Sequence, residues 1–86
     1  QASLMNDART LISGTQAERM ILIAQYHSDR AKSLQLLQSA KTIVSFSLTK
    51  SPSRELISVA DRLATTYERI QANGGTRLQL TNFVIQ

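Results

Sequence analysis

Apolar and polar positions in this chain follow the three-and-four spacing of helices almost from its start. Leu4, Met5, Ala8, Leu11 and Ile12 share one side of the segment Ser3 to Ser13, and Gly14 follows where a glycine commonly ends a helix. A short N-terminal helix within residues 1–14 is predicted. Thr15-Gln16-Ala17-Glu18 then has the S/T-x-x-E form of a capping box, in which the threonine hydroxyl accepts an early backbone N–H and the glutamate reaches back. A new helix is expected there. No glycine or proline interrupts residues 16–48, and Met20, Ile23, His27, Leu34, Leu37, Val44 and Leu48 trace a stripe along them. Gln25, Asp29, Lys32, Gln35, Ser39 and Thr42 fall on the other side, with Asp29 and Lys32 read as a surface pair. Taken as one element, residues 15–49 make a helix about 50 Å long. That is more than a compact domain of 86 residues covers by itself.

The apolar face widens in the later half of this span to include Leu36, Ala40, Ile43 and Phe46, which leaves room for more than one neighbouring helix. The β-branched and serine-rich run Thr42 to Thr49 weakens its end. Ser51-Pro52 is a helix-start pair: serine caps, and proline in the first turn loses no needed hydrogen bond. Leu56, Val59, Ala60, Leu63, Tyr67 and Ile70 form the next stripe, which Asn73-Gly74-Gly75 brings to a stop. The short connection makes this second helix, residues 51–73, antiparallel to the first. In the last segment, residues 74–86, Arg77-Leu78-Gln79-Leu80-Thr81 alternates with period two and Phe83-Val84-Ile85 is an apolar run. An extended tail is expected, packed on the helices or added to a partner's sheet edge. The fold class expected is all-α: one domain over residues 1–86, a helical hairpin or small bundle with one long amphipathic helix, a second antiparallel helix and a short C-terminal extended tail.

Composition changes this picture in one respect, the need for help with burial. At 42% hydrophobic and 19% charged the chain is globular, yet a chain this short buries only about 60 to 65% of its unfolded surface. It has no cysteine, so neither a disulfide framework nor a thiolate metal site is available, and one histidine does not build a zinc centre. No cofactor and no metal are expected. A homo-oligomer, a dimer above others, or a protein partner is the expected source of extra burial. The longest apolar run, Met20 to Ala24, is far short of the roughly 18 residues of a membrane span. Gln1 stands where an initiator methionine would, which suggests a processed or excised chain. A cytoplasmic location is preferred, and an exported mature chain also fits.

Candidate chemistry is sparse. His27 is the one side chain that titrates near neutral pH. Its place early on the first of two antiparallel helices, in Ala24-Gln25-Tyr26-His27-Ser28-Asp29-Arg30, resembles in layout the dimerisation hairpins of sensor histidine kinases. That resemblance implies a phosphoacceptor role for His27, although the proline or asparagine pattern that follows the histidine in those families is missing here. The six carboxylates are dispersed, and no P-loop, G-x-S-x-G or H-E-x-x-H is present. Net charge is +4, and from Arg30 to Arg54 every charge is positive, which makes nucleic acid a further possible partner, although no dense basic stripe with interleaved aromatics occurs. Long helix, Ser51-Pro52-Ser53 turn, second helix and apolar C-terminal run also resemble, in outline only, the needle subunits and small helical chaperones of bacterial secretion systems. The expected function is therefore a non-enzymatic helical interaction module. Its expected partner interface is Met20, Ile23, His27, Leu34, Leu37, Val44, Leu56, Leu63, Tyr67, Ile70, Phe83 and Ile85.

Overall fold

The computed structural model describes residues 2–85, and every regular element in them is a helix: α1 (Ala2–Ser13), α2 (Gln16–Tyr26), α3 (Arg30–Lys50), α4 (Arg54–Gln71) and α5 (Thr76–Ile85). The all-α class is as expected. The two-helix layout is not, because the long helix is broken and the tail is helical.

The N-terminal elements follow the sequence closely. α1 ends at Gly14, whose N–H bonds to Thr10 O at 2.8 Å. A Cβ at Gly14 would lie 2.6 Å from that same carbonyl, so the close approach requires glycine. The capping box is formed in both directions: Glu18 N–H donates to Thr15 Oγ1 at 3.1 Å, and Thr15 N–H to Glu18 Oε1 at 2.9 Å.

The helix expected over 15–49 divides at His27-Ser28-Asp29. Asp29 adopts an extended backbone and caps α3, its carboxylate accepting the Lys32 N–H at 3.0 Å. It therefore engages the backbone of Lys32 rather than serving as a surface charge pair. A short carboxylate offers the backbone an alternative to the helical ladder, which is why aspartate favours caps over helix interiors. The carbonyl of Tyr26, freed where α2 stops, accepts from Asp29 N at 3.0 Å and from the buried Ser33 hydroxyl at 2.8 Å. With the break, the longest helix is the 21-residue α3, about 32 Å long, within the 34 Å long dimension of the molecule. No helix overhangs the domain. The accessible surface is 5426 Å2, near the roughly 5,000 Å2 of a folded monomer of this mass.

α3 and α4 form the expected antiparallel hairpin, the most extensive packing in the molecule. Its cap is Ser53 rather than Ser51: Leu56 N–H donates to Ser53 Oγ at 3.1 Å, and Pro52 precedes the helix. α4 stops with Asn73 in the left-handed region at φ 70°. Asn73 N–H bonds to Ile70 O at 3.1 Å and Gly74 N–H to Arg69 O at 2.7 Å, the paired bonds of a Schellman C-cap.

The expected extended tail is instead α5. Leu80, Phe83 and Val84 are buried while Leu78 and Ile85 are exposed. At about 100° per residue those sets lie on opposite sides of one helix. Apolar residues on two faces blur the helical period, and that is how α5 comes to look like an alternating strand. α1 packs on α3 and α2, and α5 bridges α2 and α4. One core results, from Ala8 and Leu11 of α1, Leu22 and Ile23 of α2, Leu36, Leu37, Ala40 and Val44 of α3, Leu63 and Ile70 of α4, and the inner face of α5.

Candidate functional site

Tertiary packing divides the residues expected at a partner interface into two sets. Ile23, Leu37, Val44, Leu63, Ile70 and Phe83 are all at most 3% exposed and belong to the chain's own core. His27, Leu34, Leu56 and Tyr67 are half-buried at its edge, and Met20 and Ile85 are exposed. Exposed apolar residues outside the expected interface are Ile21, Ile57 and Leu78, together with Phe46 of the widened face on α3. Phe46 is partly covered, with Lys50 Nζ 4.7 Å from its ring centre.

Among the described residues a concavity of about 600 Å3 lies between α2 and α5 and is lined by Met20, Ile23, Ala24, His27, Gly75, Arg77, Leu78 and Thr81. The two helices run antiparallel along it: Arg19 sits over the Phe83 ring near one end, and His27 faces Gly75 at the other. On the α2 side, Ala17, Met20, Ile21 and Ala24 are all exposed. Their spacing of i, i+3, i+4 and i+7 makes a continuous apolar stripe on the solvent side of a helix whose inner side buries Leu22 and Ile23. On the α5 side Leu78 lines the concavity, and Ile85, seven residues on, continues the same exposed side of the helix, each at 60% exposure. Two short helices with apolar residues on both inner and outer faces therefore lie side by side. Two further concavities are smaller, about 230 Å3 each: one between α3 and α4 beside Leu37, Leu63 and Tyr67, the other polar, beside Arg62, Arg69, Gln79 and Asn82.

Several ionisable groups are occupied with structure. Three arginines donate to carbonyls at helix C-termini: Arg19 Nε to Leu11 O at 2.9 Å, Arg30 to Ile70 O at 3.2 Å and Gln71 O at 2.8 Å, and Arg62 to Phe83 O. Such cations complement the partial negative charge at the end of a helix. Arg62 also stacks on the Phe83 ring at 4.7 Å, with its Nε buried and without an acceptor. Partial burial, and then the nearby charge of Arg62, lower the pKa of Arg19 from its ordinary value. Tyr26 donates to Asp7 Oδ2 at 2.7 Å, tying α2 to α1. Burial first, then this hydrogen bond and the Asp7 charge, push the phenol up to about 12.

His27 stands in the turn that closes α2, at the end of the groove rather than mid-helix on a hairpin. Among the described residues no three His, Asp or Glu side chains converge as a metal site, and no helix is long and apolar enough to cross a membrane. The chain matches no family model, no curated protein and no solved structure.

The signal for the groove was present in the sequence. Met20, Ile21, Leu22, Ile23 and Ala24 are five consecutive apolar residues in a helix of 11. Five in succession exceed one full turn of a helix and point all round it, so a single neighbour on one side cannot take them all.

Proposed function

We propose that this chain is a non-enzymatic helical interaction module that binds a helix in the groove between α2 and α5. The observation that carries the reading is the pair of outward apolar stripes, Ala17, Met20, Ile21 and Ala24 on one helix and Leu78 and Ile85 on the other, of which Met20, Ala24 and Leu78 line a concavity of about 600 Å3. Apolar residues on both sides of a helix are ordinarily found where both sides are covered, and an exposed contiguous apolar patch commonly marks an interaction site. Anchors at i, i+3, i+4 and i+7 set in a hydrophobic groove are a recurring mode of helix recognition. The work done is burial of apolar area, at roughly 25 cal/mol per Å2 before the costs of association.

Both a second copy of the chain and a different protein are compatible with such a surface. The overhanging 50 Å helix that favoured a dimer does not exist, so the case for either now rests on the α2–α5 face. The phosphoacceptor and nucleic-acid readings gain no comparable observation. His27 lacks the mid-helix hairpin setting, and three arginines of the basic total are engaged with helix ends.

The test is solution mass by light scattering, from micromolar to millimolar chain, alone and with amphipathic helical peptides of different charge. Self-association or peptide binding that is lost in Leu78→Asp, with the circular dichroism unchanged, is the expected result. A chain that stays monomeric throughout and takes up none of the peptides would contradict the proposal.

A further inference from the structure

The groove carries charge of one sign. The one formal charge in its lining is that of Arg77, with no aspartate or glutamate beside it. Arg77 is exposed in the first turn of α5, a turn without an acidic residue, where the helix's own partial positive charge adds to it. The nearest acidic side chain on α2, Glu18, is engaged in the capping box with Thr15. On the α2 wheel it stands about 100° or more from Met20 and Ala24. The whole chain carries +4. The apolar floor fixes the shape of what docks, and these charges bear on its sign.

We infer that the occupant of the α2–α5 groove is an acidic amphipathic helix of another protein. This rests on the docking reading above and deepens it by choosing between occupants. In an isologous dimer the same patch meets itself, which would bring Arg77 of both copies into one interface between two chains of charge +4. A partner helix with a leucine stripe and flanking glutamates meets the same floor without that repulsion, and its attraction to a basic protein speeds its arrival. Each helix along the groove is about 15 Å long, so about three turns of partner helix fill it and place one acidic side chain beside Arg77. The exposed Met20 suits such a seat, because an unbranched thioether repacks around different side chains at little cost.

The experiment uses two synthetic peptides of about 14 residues, each about 21 Å long as a helix. Both carry leucine at i, i+3, i+4 and i+7, one with glutamate and the other with lysine at the flanking positions. Each is titrated by fluorescence anisotropy into the intact chain and into Arg77→Glu, at low and at moderate salt. The expected result is that the glutamate peptide binds the intact chain more tightly, that Arg77→Glu weakens it roughly threefold to tenfold, and that the difference shrinks with salt. Arg77 is exposed, so the variant should keep the parent's circular dichroism. Equal or tighter binding of the lysine peptide, or indifference to Arg77→Glu, would overturn the inference while leaving the docking surface in place. If neither peptide binds yet the chain self-associates and loses this in Leu78→Asp, the occupant is a second copy. The acidic-partner inference then fails and the interaction reading stands. If neither peptide binds and the chain is monomeric, both fail.

Discussion

The α3–α4 hairpin and the α2–α5 pair are both rich in leucine and isoleucine and use them differently. In the hairpin most of the apolar stripes are spent inside the molecule, Phe46 and Ile57 excepted: Leu36, Leu37, Ala40 and Val44 are buried with Leu63 and Ile70, and the carbonyls ending α4 are covered by Arg30. In the α2–α5 pair only half of the apolar surface is spent that way. Leu22, Ile23, Leu80, Phe83 and Val84 point in, while Met20, Ile21, Leu78 and Ile85 point out. Burial that closes a fold and burial still on offer to a partner are told apart here by the neighbours of a side chain, not by its hydrophobicity.

If that contrast is right, truncation inside the hairpin should cost folding most. Leu37→Ala or Leu63→Ala, each at a site 1% exposed, should lose about 2–5 kcal/mol in urea unfolding. That is a large share of the stability of any domain this small. A loss below 1 kcal/mol would mean that the hairpin is not the closed half of the molecule. Next in size is the joint between the two regions. Asp29→Ala removes the cap that separates α2 from α3 and should cost about 1 kcal/mol, read by the same unfolding curve.

A smaller effect should appear only at high pH. The Tyr26 phenol is raised from 10.0 to about 12 by burial and by its bond to Asp7. Its folded value lies above its unfolded value, so the stability it contributes is complete below pH 10 and is lost as pH climbs from 10 toward 12. Tyr26→Phe should remove that slope relative to the parent, and parallel pH profiles for the two proteins would contradict the assignment. The smallest effect on folding belongs to the open face. Leu78→Ala should change stability by no more than about 0.5 kcal/mol yet weaken partner binding by more than about fivefold, as loss of an interface anchor does.

The legible parts of the fold were those with one strong periodic face or a local chemical signature. The capping box at Thr15, the stop at Gly14, the stripe from Leu56 to Ile70 and the turn at Asn73-Gly74 each act within a few residues. The break at His27-Ser28-Asp29 was harder to see because the stripe runs straight through it, and because Asp29 and Lys32 have the spacing of an ion pair as well as of a cap. α5 was hidden by being apolar on two sides, which erases the alternation of a helix with one buried face. The candidate site shared this difficulty. A stripe such as Ile23, Leu37 and Ile70 states that a face must be covered, but the coverer turned out to be the chain itself. The surplus run Met20 to Ala24 was the better guide to what was left over.

The most direct test of the account is to ask where a partner lands. In an NMR titration with the acidic amphipathic peptide, amide shifts should move in a contiguous band over residues 17–27 and 75–85, with Phe46 and Ile57 at the far corner of the hairpin unmoved. Shifts centred on Phe46 and Ile57, or spread over the α3–α4 face with α2 and α5 silent, would contradict the claim that the open face of this molecule lies between α2 and α5.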